Sequence, residues 1–132
     1  MNLKKFERYP LTFGKTPIDY LPRLSKEING DLEIYAKRDD CNSGLAFGGN
    51  KTRHLEFIMH KAKIGDYDCV LTGAATQSNW CRQTVAAANK LGLETFLVLV
   101  RGVKSNQMQG NFLFYDKDLL CQIILFHYLQ MN

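Results

Sequence analysis

The alternation of apolar and polar positions divides the chain into a short series of elements. Positions 1–22 hold all three prolines, Pro10, Pro17 and Pro22. They read as a largely extended strap, because proline fixes φ and disfavours helix at the residue before it. Thr16-Pro17-Ile18 either touches a site from this strap or fixes the entry of the chain. A short helix is expected over 23–28, stopping near Asn29-Gly30. Loose alternation over 32–37 predicts a strand, and Arg38-Asp39-Asp40 then reads as a solvated turn in which the acids pair with Arg38. Leu55, Ile58, Met59 and Ala62 recur at helical period, predicting a helix over 50–64 with Asn50 as N-cap and Gly65 as its stop. A short buried strand follows over 69–72, with Cys69 as a small core residue, then a small-residue turn over 73–77. A helix over 78–91 is closed by Gly92, its inner face formed by Cys81, Val85 and Ala88. The continuous apolar run over 95–100 predicts a strand covered on both faces.

Strand, helix, strand, helix and strand with short connections predict an α/β fold, a three-layer parallel-sheet βαβαβ unit. The family of patterns ends near Asn111. Residues 112–132 form a divergent or truncated C-terminal segment that reads as helical, apolar with a polar end. Its leucines, isoleucines and Phe126 make a sticky patch if nothing covers them.

Composition narrows the class. At 132 residues, 45% hydrophobic and 23% charged, the chain is long enough for one domain with a real core. A formal net charge of +4 with scattered basic residues argues against a nucleic-acid partner. The longest apolar run, over 119–129, is interrupted by Gln122 and His127 and is too short to span a bilayer, so no membrane partner is expected. Cys41, Cys69, Cys81 and Cys121 have neither metal-finger nor C-x-x-C spacing. With no secretory signal at the start, a cytoplasmic, reduced chain is expected. Asp39 and Asp40, and the pair Glu56 and His60, each lack a third ligand, so no metal site is expected.

The chemistry concentrates in two stretches. In the first, Gly48-Gly49 allows a tight turn before Asn50-Lys51, which places Lys51 in the first turn of a helix. The positive end of the helix dipole, with Arg53 nearby, favours a neutral and nucleophilic amine. In the second, Ser78 and Asn79 fall at another helix N-terminus, where unpaired N–H groups suit an anion such as a carboxylate. The same residues also make an ordinary exposed lysine, an N-cap and an exposed first-turn residue. In parallel sheets, ligands gather at the carboxyl ends of the strands, so both stretches should share one edge.

Gly48-Gly49-Asn50-Lys51-Thr52-Arg53, followed by Leu55-Glu56-Phe57, resembles the cofactor-lysine motif of the 1-aminocyclopropane-1-carboxylate deaminase and D-cysteine desulfhydrase family. Gln77-Ser78-Asn79, followed by Arg82-Gln83 and an alanine-rich helix, is similar to that family's second motif. The resemblance implies a truncated tryptophan synthase β-like fold over 1–111 and pyridoxal 5'-phosphate as cofactor. It implies that Lys51 carries the cofactor covalently and moves protons when released. Ser78 would contact the substrate and take part in proton transfer or nucleophilic attack. Asn79 would contact the cofactor's phenolic oxygen and, with Gln77 and Ser78, the substrate. His54 stands where the family has a lysine that helps neutralise the phosphate, and is a weaker, pH-dependent cation. Ala74-Ala75-Thr76 is bulkier than the family's approach to the second motif, and Trp80 either lines the pocket or covers the helix.

The implied reaction takes a small amino acid to a 2-oxo acid and ammonia, with sulfide from D-cysteine, and full-length relatives are implied to be homo-oligomers. Full members are more than twice as long. The part beyond the resemblance carries the glycine-rich phosphate loop, the partner of the pyridine nitrogen and tyrosines around the substrate. Two function classes therefore stand: an enzyme, and a catalytically inactive fragment or interaction module of one. A generic nucleotide-binding module is disfavoured by the absence of GxGxxG and GxxxxGK[ST].

Overall fold

The computed structural model describes residues 2–28, 31–101, 109–115 and 121–127. Its elements are β1 (Ile18–Tyr20), α1 (Pro22–Glu27), β2 (Tyr35–Lys37), α2 (Asn50–Ile64), β3 (Cys69–Ala75), α3 (Asn79–Leu91), β4 (Glu94–Arg101) and β5 (Gln122–His127). β1 and β2 form an antiparallel pair, and β3, β4 and β5 form a parallel sheet in that order. The expected Asn29-Gly30 stop of the first helix lies outside the described residues.

The parallel unit thus begins one strand later than the sequence suggests. Only Tyr35–Lys37 of the expected 32–37 strand is regular, and it pairs with Ile18–Tyr20. Residues just before it are held by α1 instead. Ser25 Oγ accepts Ile34 N–H at 2.9 Å and donates to Leu21 O at 2.9 Å. β3 also runs on through Gly73 to Ala75, taking the first part of the expected turn into the ladder, with Ala75 opposite Val100.

The helical expectation for the tail is overturned over Gln122–His127, which pairs with β4 in parallel register, Val98 opposite Ile124. The rest of the tail, 116–120 and 128–132, lies outside the described residues. A run such as Ile-Ile-Leu-Phe carries no period that separates strand from helix. β4 decides the matter, because a central strand with a buried face needs partners along both edges.

One face of the sheet meets the helices. Thr95, Leu97 and Leu99 of β4 are buried there, in a cluster with Cys81 and Val85 of α3, Tyr115 and Cys121. A second cluster joins Leu11 to Leu55 and Met59 of α2 and Ala87 of α3. Each fully buried aliphatic side chain contributes roughly 1.5–3 kcal/mol. The opposite face is open among the described residues: Leu71 is 69% exposed, Ile124 54% and Val100 38%. Among the described residues, the helices cover one face of β4. Cys69 is exposed rather than in the core, because β3 is an edge strand whose odd positions face outward.

α2 buries a different stripe from the one its apolar residues suggest. Thr52, Leu55, Glu56 and Met59 are buried, whereas Ile58 is exposed. The two polar members of that stripe are tied down. Glu56 Oε1 accepts Leu11 N–H at 3.1 Å, Thr12 N–H at 2.9 Å and Thr12 Oγ–H at 2.7 Å, and Oε2 meets Arg8 at 3.3 Å. The N-terminal strap is therefore sewn onto α2. Asp39 pairs with Arg53, at 2.8 Å, while Asp40 pairs with Arg38 as expected, at 2.7 Å. Thr16 fixes the strap: its hydroxyl meets Lys37 Nζ and accepts from Arg53 Nη2 at 3.3 Å.

Candidate active site

The loop before Lys51 is backbone chemistry first. Ala46, Phe47, Gly48 and Gly49 are four consecutive residues at positive φ, 45°, 65°, 63° and 114°. Left-handed backbone costs a non-glycine residue roughly 1–2 kcal/mol, and such strain persists only where neighbours over-determine it. Here the buried Asn42 does so. Its Oδ1 accepts Gly49 N–H at 3.1 Å and its Nδ2 donates to Gly49 O at 2.8 Å. A Cβ on Gly48 would lie 2.8 Å from Ser43 O and 2.9 Å from Asn42 Oδ1, so no side chain fits.

Gly49, not Asn50, is the N-cap of α2, and no side chain caps this end. Asn50 is the first helical residue and Lys51 the second. Lys51 is half-buried, and its ammonium makes no hydrogen bond or ion pair among the described residues. His54 lies three residues on, on the same side of the helix, and is exposed. Arg53 lends Lys51 less positive field than the sequence suggests, because Asp39 receives its Nε at 3.1 Å and its Nη2 at 2.8 Å.

α3 is bolted alongside. Thr52 Oγ1 donates to Gln83 Oε1 at 2.7 Å, both side chains being buried. Ser78 is the N-cap of α3, its Oγ accepting Cys81 N–H at 3.2 Å. That contact uses one lone pair of the hydroxyl oxygen. Asn79 is the exposed first residue of the helix. Its Oδ1 accepts from Arg82 Nη2 at 3.1 Å and Asn111 Nδ2 at 2.8 Å. Neither helix has an acidic residue in its first turn, so both positive ends are left uncompensated from within. The two helix starts are brought side by side, but no hydrogen bond joins Lys51 to Ser78 or Asn79.

Gln77 turns inward to its own scaffold. Its Nε2 donates to Gln109 O at 2.8 Å and its Oε1 accepts Asn111 N–H at 2.9 Å. Asn111, Tyr115 and the deeper role of Arg82 were not evident from the sequence. Tyr115 is fully buried and its hydroxyl donates to Ser78 O at 2.7 Å, burial pushing its pKa above the ordinary range. Arg82 is 8% exposed, with Nε and Nη1 lacking partners, and its guanidinium lies 5.3 Å from the Phe47 ring. Burial pulls its pKa down, yet a guanidinium stays charged. Trp80 does not line the rim: its Nε1 donates to Thr72 Oγ1 at 2.8 Å between helix and sheet.

Among the described residues, an amine without a partner thus lies at the start of one helix, and a serine cap, an amide with its oxygen engaged and a guanidinium with no acid beside it lie at the start of the helix adjoining it. Such a rim suits an anionic ligand with a carbonyl for the amine to attack. No group of His, Cys, Asp and Glu among the described residues is arranged to hold a metal. No helix among them is long and apolar enough to cross a membrane.

The chain is 56% identical over 98 residues to a 1-aminocyclopropane-1-carboxylate deaminase of Pseudomonas syringae pv. syringae (strain B728a). It is 57% identical over 98 residues to one of Variovorax paradoxus (strain S110). Each match covers 74% of this chain and 29% of the relative, so the chain spans less than a third of their length. A crystal structure described as an ACC deaminase homologue superposes with a TM-score of 0.82 at 40% identity, covering 94% of this chain and 36% of that one. The sequence profile described as "Pyridoxal-phosphate dependent enzyme" matches residues 9–116. With most of its length accounted for in this way, the chain belongs to the pyridoxal-phosphate-dependent enzyme family.

Proposed function

We propose that this chain provides the lysine-bearing part of a site that deaminates or cleaves small amino acids, of the 1-aminocyclopropane-1-carboxylate deaminase or D-cysteine desulfhydrase type. The products would be a 2-oxo acid and ammonia. The observation that carries the reading is Lys51: an amine unpaired among the described residues at the start of α2, one residue from the Thr52–Gln83 bond that fixes α2 against α3. The relatives' names support the first substrate class.

The residues present suit pyridoxal phosphate at its reactive end. Lys51 would hold the aldehyde carbon. Asn79 would donate to the phenolic oxygen, since its Oδ1 is already engaged and its Nδ2 is not. When bound, the cofactor's ring withdraws electron density from the substrate carbon. Lys51 would move a proton to and from that carbon, its position set by the cap at Gly49. Ser78, held at the N-cap by Cys81 N–H, would present its hydroxyl and the first N–H groups of α3 to the substrate carboxylate. His54, exposed one turn beyond Lys51 on the same side of α2, would face the cofactor phosphate. The same reading puts the enzyme in the cytoplasm, in keeping with four free cysteines, and makes it a homo-oligomer.

The open sheet face with Leu71, Val100 and Ile124 favours a second reading, in which the chain alone is inactive and serves as an interacting piece of such an enzyme. One experiment separates the two. Purified chain is mixed with pyridoxal phosphate, reduced with borohydride and mapped by peptide mass, then assayed for 2-oxo acid release. Label on Lys51, lost in Lys51→Ala, supports the cofactor site. Turnover with a small amino acid supports the enzyme, and label without turnover supports the inactive piece.

A further inference from the structure

The amide of Asn79 is held in one of its two orientations by groups that cannot accept the other. Its Oδ1 receives Arg82 Nη2 at 3.1 Å. A guanidinium has donors only, so the atom facing it must be oxygen, whatever amide orientation is first assumed. Asn111 reaches the same atom from a second side. Its Nδ2 commits one N–H to Gln77 O and the other to Asn79 Oδ1, both at 2.8 Å. Asn111 is itself fixed by its backbone N–H on Gln77 Oε1 at 2.9 Å. Two donors thus converge on one carbonyl oxygen, and the exposed Asn79 keeps its Nδ2 hydrogens free among the described residues.

Arg82 has little freedom to release that oxygen. It is 8% exposed, its Nε and Nη1 have no partner, and the Phe47 ring lies over it at 5.3 Å. Asn79 Oδ1 is the one acceptor its guanidinium has among the described residues. Turning the amide over would bring an NH₂ group against a buried cation and a second NH₂ group. Loss of one charge-assisted bond alone disfavours that state on the order of tenfold or more.

We infer that Arg82 and Asn111 are positioning residues which oblige Asn79 to present N–H, and never C=O, to the site. The site is thereby selective for a ligand that offers an acceptor oxygen at that point and turns away one that offers a donor. The orientation is a property of the protein. Its identification with the cofactor's phenolic oxygen rests on the function proposed above.

The test uses the full chain labelled at its asparagine side chains. Nuclear magnetic resonance should find a single Asn79 carboxamide environment with high order in the unaltered protein. Arg82→Met, which keeps an apolar stem beneath Phe47, and Asn111→Ala should each lower that order and average the environment, while Arg82→Lys should restore it in large part. Backbone spectra identify any variant that fails to fold, and the remaining variant then decides. An Asn79 carboxamide equally ordered and unshifted in a folded Arg82→Met or Asn111→Ala protein overturns the inference. Pyridoxal phosphate titration adds the second arm. Arg82→Met should weaken binding about tenfold. Should the unaltered chain take no cofactor on Lys51, the proposed function fails while the spectra still decide the orientation.

Discussion

Thr52 and Gln83 share a buried hydrogen bond of 2.7 Å that spans thirty-one positions of sequence. It joins the first turn of α2 to the second turn of α3, and so sets the spacing between the helix that starts with Lys51 and the helix that starts with Asn79. Thr52→Val leaves Gln83 buried without an acceptor role, and Gln83→Leu does the converse. Each single change should cost about 1–3 kcal/mol, and the double variant less than their sum. Urea unfolding of the four proteins measures the coupling.

Gly48 and Gly92 both sit at positive φ, yet only one is crowded. A Cβ on Gly48 collides with Ser43 O and Asn42 Oδ1, whereas nothing lies within 4 Å of one on Gly92. Gly92→Ala should therefore cost only the conformational term, about 1–2 kcal/mol. Gly48→Ala should cost clearly more and also disturb the α2 cap. Thermal midpoints of the two variants should rank in that order.

The helices were legible in the sequence, because glycine stops and apolar period are local signals. Gly65 and Gly92 end α2 and α3 where expected, and Cys81, Val85 and Ala88 are all buried on α3, together with polar neighbours such as Arg82 and Gln83. The parallel pairing of β3 with β4 was legible in the order strand, helix, strand, whereas the other pairings were not, since their partners are chosen by distant segments. Nothing in Tyr35–Lys37 announces Ile18–Tyr20 as its neighbour, and nothing in Gln122–His127 announces β4. The positions of Lys51, Ser78 and Asn79 at helix starts followed from glycine and serine placement. The groups that hold them, Gln83, Asn111, Arg82 and Tyr115, are polar or aromatic residues whose partners lie up to thirty-seven positions away. Periodicity has no means of marking those.

Asp39 predicts an acid limb to stability. Hydrogen bonds from Arg53 hold its carboxyl below the ordinary value, against the opposing pull of burial. A carboxylate whose folded pKa is depressed stabilises the fold above its unfolded pKa of about 3.9, and that contribution is lost as pH falls through the folded value. The unaltered protein should therefore lose stability more steeply than Asp39→Asn below about pH 4. Urea midpoints between neutral and acid pH check the difference, which should shrink at high salt because the pair is partly exposed.

Glu56 gives the largest expected single loss. Its carboxylate is 2% exposed and takes two backbone N–H groups and one hydroxyl on one oxygen. Glu56→Ala strands those donors and should cost about 3 kcal/mol or more, with faster hydrogen exchange at Leu11 and Thr12. Glu56→Gln should recover part of it.

That carboxylate also makes the beginning of the chain a lever. Residues 8–12 grip α2 barely more than one turn beyond Lys51, so the amine's seat depends on what happens forty positions upstream. A fusion partner, a cleavage or a stray charge placed ahead of Tyr9 would bear on that tether, and through it on the start of α2. Comparisons of Lys51 reactivity between preparations with differently trimmed ends would then report on the rigging of this helix as much as on the amine itself.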